Sequence, residues 1–167
     1  MPMSYGLIRL NPLVCEFQRR YPEISIEVIL SDAYMDLVDQ GLDVVIRGAG
    51  TLEDSTLRAK PLCEVRRVLC AAPDYLKEAG KPAHPEDLKA HNCLRYAYQS
   101  TGASEWAFKG EDGNYLVSVS GSFSTDNAGA LRKAALGGRG IVYVPRCLVY
   151  HDLMSGNLVD LFPERVG

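Results

Sequence analysis

No two cysteines form a CxxC pair, although five are present: Cys15, Cys63, Cys70, Cys93 and Cys147. Odd in number and widely spaced, they exclude a disulfide framework and read as buried, reduced thiols. Long apolar runs are missing as well, since none approaches the roughly 18 residues that cross a bilayer. The N-terminus has no charged region leading into an apolar core, so no signal peptide is expected; these absences predict a cytoplasmic chain with no membrane partner. Positive charge is scarce: 18 Lys and Arg against 21 Asp and Glu leave a net charge of -3, which argues against a nucleic-acid-binding surface on this segment.

Catalytic and cofactor signals are equally sparse. There is no GxSxG, and His84, His91 and His151 lie far apart without metal-ligand spacing, so solvated histidines are expected. Gly48-Ala-Gly50 follows a strand candidate like a dinucleotide loop, but Glu53 stands where a third glycine belongs. Gly137-Gly-Arg-Gly140 has the wrong polarity, following a helix and preceding a strand. The single tryptophan, Trp106, could stack on a ligand, although core packing is the commoner use. No set of nucleophile, base and orienting group assembles, so neither enzyme chemistry nor a metal or cofactor is expected.

What is present suits a globular domain, with 47% apolar and 23% charged residues. The centre of the pattern is Tyr21 to Arg47. Ser25 to Leu30 crowds Ile26, Val28 and Ile29 as a strand buried on both faces would. Ala33 to Gln40 predicts a short helix, with Asp32 capping its first turn and Gly41 ending it, and Leu42 to Ile46 is a second strand candidate. Two apolar strands joined by a helix predict a βαβ unit and an α/β class.

Before this unit, Leu7, Leu10, Val14 and Phe17 recur at helical spacing over Tyr5 to Arg20, with Pro12 inside the run expected to kink it unless the helix restarts at Asn11. Met1 to Gly6 reads as the end of a strand and the start of that helix, which predicts a fragment of a longer protein. After the unit, Leu57 to Cys63 and Val65 to Ala71 suggest an antiparallel pair, and Pro73 and Pro85 each suit the first turn of a helix. Short strands are expected at Cys93 to Tyr98, Trp106 to Lys109, Tyr115 to Val119 and Ser122 to Thr125, with Glu111-Asp-Gly-Asn114 turning the second into the third. A helix over Asp126 to Leu136, a buried strand at Ile141 to Val144, a helix at Cys147 to Met154 and a strand at Leu158 to Phe162 complete the order. It predicts two lobes, residues 1–71 with 146–167 and residues 72–145, and a ligand held where strand ends and helix starts converge.

Several stretches carry a family resemblance: Phe17-Gln-Arg-Arg-Tyr-Pro22, Asp36-Leu-Val-Asp-Gln-Gly-Leu-Asp43 before Val-Val-Ile-Arg47, Arg67-Val-Leu-Cys-Ala-Ala-Pro73, Pro85-Glu-Asp-Leu88 and Gly138-Arg-Gly-Ile-Val-Tyr-Val-Pro145. In this order and spacing they resemble the effector-binding domain of LysR-type transcriptional regulators. The resemblance implies two Rossmann-like lobes around a hinged cleft, like a type 2 periplasmic binding protein, with a small-molecule effector in the cleft. It also implies homodimers, with a tetramer open to the full-length protein, and DNA contact only through an N-terminal winged helix-turn-helix domain that this chain lacks. The dimer surface would set the first helix and Ser25 to Leu30 of one copy against Asn127 to Leu136 of the other. A solute-binding protein of a transport system, which shares the fold, is the alternative.

Candidate ligand contacts follow residue by residue. Ser4 lies at the start of the first helix, where unpaired amides bind an anion, although a simple cap explains it equally. Ser31 and Asp32 match a family position that lines the cleft, while Asp32 would oppose an anion. Arg47 ends an apolar run and suits a carboxylate in a two-pronged contact, with a salt bridge as its rival. Thr125, Asp126 and Asn127 begin the last long helix and face the cleft in the family pattern, yet all three are ordinary capping residues. Ala71 and Val144 would give the cleft apolar wall.

Overall fold

The computed structural model describes residues 1–33, 40–48, 58–98, 102, 104–110 and 113–165. Two units divide it, Met1–Val65 and Arg66–Gly167.

The first unit opens on one helical run in three parts, α1 (Met3–Tyr5), a π-helical stretch (Gly6–Leu10) and α2 (Asn11–Arg20). The π stretch sits where Pro12 demands it. A proline ring collides with the carbonyl four residues back and offers no N–H, and the helix accommodates it by widening: Asn11 N–H donates five residues back, to the Gly6 carbonyl. Gly6 has a second duty, because a Cβ there would stand 2.7 Å from Leu30 Cδ2. The helix therefore lies close on the segment that follows it.

The strands expected at Ser25 to Leu30 and Leu42 to Ile46 are absent, as is one at the described part of Leu57 to Cys63, and with them the βαβ unit; residues 34–39 of its expected helix lie outside the described residues. A β-rich sequence becomes a strand only where another backbone completes its ladder. Among the described residues Met1 alone is bonded alongside, its ammonium donating to the Ile29 carbonyl at 2.8 Å and its carbonyl accepting from Ser31 N–H at 3.0 Å. Nor are the apolar faces covered: Ile24, Val28 and Ile29 are exposed, as are Leu7 and Phe17 of the helical run.

The second unit is built on a mixed sheet. In chain order it contains β1 (Arg67–Ala71), α3 (Pro73–Ala79), a 3-10 helix (Pro85–Ala90), β2 (Cys93–Tyr96), β3 (Glu105–Gly110), β4 (Gly113–Ser118), β5 (Ser124–Thr125), α4 (Ala128–Leu136), β6 (Ile141–Pro145), α5 (Arg146–Met154) and β7 (Val159–Leu161). Five strands lie in the order β5-β2-β6-β1-β7. β1 is antiparallel to both neighbours, with Leu69 opposite Tyr143 and Leu161, while β2 runs parallel to β6 and β5. β3 and β4 form a separate hairpin whose pairing runs to Gly110 opposite Gly113.

Alternation along β1 and β6 sorts the core into two layers. Leu69, Ala71, Ile141 and Tyr143 face the hairpin residues Trp106, Phe108, Val117 and Val119. Val68, Cys70, Val142 and Val144 face Leu131 and Ala135 of α4 and Val149 of α5. Because both faces are covered, these strands read as unbroken apolar runs, and each fully buried Leu or Ile contributes about 1.5–3 kcal/mol. Gly140 admits β6 beside β2: its φ is +154°, and a Cβ there would fall 2.2 Å from the Asn92 carbonyl oxygen.

One sheet joins β1 and β7 with β2, β5 and β6: β1 bonds β6 along its length and β7 completes its other edge.

Candidate functional site

In the first unit the expected site residues gather at the start of the helical run. Ser4 is half-buried within α1. Asp32 Oδ1 accepts from Met3 N–H at 2.8 Å, while Ser31 Oγ accepts from Ala33 N–H at 3.2 Å. Asp32 thus holds the start of the first helix, while the helix it was expected to cap lies largely outside the described residues. Its carboxylate takes the position at the helix start where Ser4 was expected to help bind an anion, and its Oδ2 is buried without a hydrogen bond. Arg47 is exposed and within electrostatic reach: burial holds the Met1 ammonium below its usual range, Asp32 opposes that effect and Arg47 adds to it.

In the second unit Thr125 and Asn127 share one turn. Thr125 Oγ1 accepts from Asn127 N–H at 3.2 Å, and Asn127 Oδ1 accepts from Ala130 N–H at 2.9 Å. Asn127 is the N-cap of α4, which bears out the capping role weighed for it; Asp126 is exposed beside it. Ala71 and Val144 do not share a wall. They are 0% and 1% exposed and belong to core layers on opposite faces of the sheet, because Ala71 lies in register with Leu69 and Val144 with Val142.

Other expectations resolve in the same way. Trp106 is core. The cysteines are all free, but the reading of buried thiols holds for Cys70 and Cys93 while Cys15 and Cys63 are exposed, the latter with its sulfur 3.1 Å from the Tyr5 hydroxyl. His84 and His151 are exposed, whereas His91 Nδ1 meets the Tyr75 hydroxyl at 3.2 Å, and that same hydroxyl accepts from Asn92 N–H. Among the described residues no group of three or more His, Cys, Asp or Glu is placed to hold a metal, and no helix is long and apolar enough to cross a membrane.

Two features went unseen in the sequence. Asp152 is buried and joined to Arg132 across α5 and α4. Arg67 lies over the Tyr143 ring, its Cζ 4.3 Å from the centroid, and donates to the Tyr143 carbonyl. The available signal was a charged residue at the start of an apolar strand run, which does not say what it will meet.

Comparison with known proteins agrees with the geometry. The family model described as LysR substrate binding domain matches residues 1–166. The HTH-type transcriptional regulator CrgA of Neisseria meningitidis serogroup B is 35% identical over 167 residues, all of this chain and 54% of the relative. The solved CrgA regulatory domain from Neisseria meningitidis superposes with a TM-score of 0.84 at 34% identity, covering 99% of this chain and 80% of that one. The full-length Vibrio cholerae virulence activator AphB gives 0.84 at 28% identity, covering 99% and 55%. The chain spans about half the length of the curated relatives it matches. Its α/β architecture with a mixed sheet is that of LysR regulatory domains, and the chain belongs to the LysR substrate binding domain family.

Proposed function

We propose that this chain is the effector-binding and dimerisation domain of a LysR-type transcriptional regulator, acting by binding and not by turnover. The observation that carries the reading is the match over residues 1–166, with the CrgA regulatory domain superposing on nearly the whole chain. The relatives reported above are transcriptional regulators, which disfavours the transport alternative.

In this reading the effector is a small molecule with a carboxylate. The first unit offers Arg47 for the charge and the Ser4 and Ser31 hydroxyls, with Asp32 holding the start of its helix. The second unit offers the Thr125 hydroxyl and Asp126, with Asn127 capping α4. Ala71 and Val144 belong to its core. An effector that binds one conformation better raises its population by no more than that difference in affinity, and a homodimer passes the change to the DNA-binding domains of the full-length protein. DNA is reached only through those domains.

The experiment is a thermal-shift screen of small carboxylates on the chain, followed by Arg47→Ala and Thr125→Ala. A ligand at 100 times its Kd stabilises the fold by about 2.7 kcal/mol, and either substitution should lower that gain. If every hit stabilises the two variants as much as the parent, the assigned contacts are wrong.

A further inference from the structure

Two arginines share the hairpin-covered face of the second unit's sheet with Tyr143. Arg67 stacks on the Tyr143 ring from β1. On the other side of β6, the parallel register Leu94 opposite Val142 carries Arg95 to the level of Tyr143, and alternation places both side chains on that same face. Arg95 Nη1 donates to Ser104 Oγ at 3.2 Å. Two residues on, Trp106 packs its ring 5.9 Å from that of Tyr143 and is 1% exposed. All four side chains therefore lie on one face of the sheet.

Two donors on this face, Arg95 Nε and Trp106 Nε1, are buried and make no hydrogen bond among the described residues. Buried N–H groups in folded proteins nearly always meet an acceptor, and a charged donor without one is the costlier kind. The carboxylates that β7 and α5 bring to this sheet do not supply it: Asp160 lies opposite Cys70 on the other face and pairs with Arg146, and Asp152 pairs with Arg132. Burial also holds the Arg67 guanidinium below its usual range, countered by the phenols of Tyr143 and Tyr96.

We propose that Arg67, Arg95, Trp106 and Tyr143 form a binding site for a small oxyanion, either a carboxylate or inorganic sulfate or phosphate. An oxyanion offers only acceptors, so it satisfies a guanidinium Nε–H and an indole N–H together, and its charge offsets that of Arg95, which a water cannot do. The site uses no residue assigned to effector contact above, so it stands or falls separately from that reading.

Trp106 is the only tryptophan in the chain, so its fluorescence reports the site directly. Sodium sulfate, sodium phosphate and sodium acetate are titrated into the 167-residue chain, with sodium chloride holding ionic strength constant. The expected result is a saturable change in emission with at least one of them, with the half-saturation concentration raised at least tenfold in R95K, which keeps the charge but loses the Nε–H and the planar fork. R67K is measured in parallel and serves alone if circular dichroism shows R95K unfolded. Saturation by acetate alone identifies a carboxylate site, and saturation by sulfate or phosphate an inorganic one. A non-saturating change, no change, or the same saturation in parent and folded variants overturns the proposal.

Discussion

Arg132 holds Asp152 with two hydrogen bonds, Nε to Oδ2 at 2.5 Å and Nη2 to Oδ1 at 2.7 Å, tying α4 to α5. The partners are unequally placed, since the Asp152 side chain is 8% exposed and that of Arg132 33%. Removing the arginine strands a buried carboxylate, while removing the aspartate leaves a guanidinium that can turn to water. Arg132→Ala should therefore destabilise by about 3 kcal/mol and Asp152→Ala by about 1–2 kcal/mol. Urea denaturation of both variants and the double mutant checks this, and a reversed order would refute it.

Burial predicts a second contrast. Leu131 of α4 is 0% exposed against the sheet, and Leu116 on the outer side of the hairpin is 53% exposed. Leu131→Ala should cost about 2–5 kcal/mol and Leu116→Ala less than about 0.5 kcal/mol in the same denaturation assay.

Acid should release one loop. The Asp87 carboxylate accepts from the His84 and Ala83 N–H groups, both at 2.9 Å, and those bonds, His84's first, hold its pKa below the usual range. A depressed pKa stabilises the fold above the unfolded value, about 3.9, and that stabilisation is lost as pH falls through the folded value. The Tm difference between the parent and Asp87→Asn should therefore be present at pH 7 and shrink below about pH 4. A difference that is constant with pH would show that the charge is irrelevant.

The thiols should separate into two classes. Burial pushes Cys70 and Cys93 up to about 12, with Asp160 and Asp152 adding to the rise at Cys70, whereas Cys15 and Cys63 are exposed. With a thiol reagent at pH 8, Cys15 and Cys63 should label in the native state, and Cys70 and Cys93 only after denaturant is added. Mass spectrometry of the labelled peptides distinguishes them.

The second unit was readable because its strands are covered on both faces, so Val68 to Ala71 and Ile141 to Val144 stand out as apolar runs whatever they pair with. Which strands pair was not readable. Leu69 meets Tyr143 and Leu161 through contacts between distant parts of the chain, which local pattern does not reveal. The first unit misled for the converse reason: Ile26, Val28 and Ile29 have the right residue types, but strand formation is settled by a neighbouring backbone that local sequence does not reveal. Of the candidate site, Asn127 was legible because its cap is made to Ala130, three residues on. The bond from the N–H of Met3 to Asp32 was not legible, because those residues are close only in the fold.

The central place of β1 has a consequence for biosynthesis. Of the sheet's strands it leaves the ribosome first, yet the two that flank it, β6 and β7, come last. Until β6 and then β7 have been made, a very apolar segment therefore has hydrogen-bonding edges open, the condition under which nascent chains stick to one another or to a chaperone.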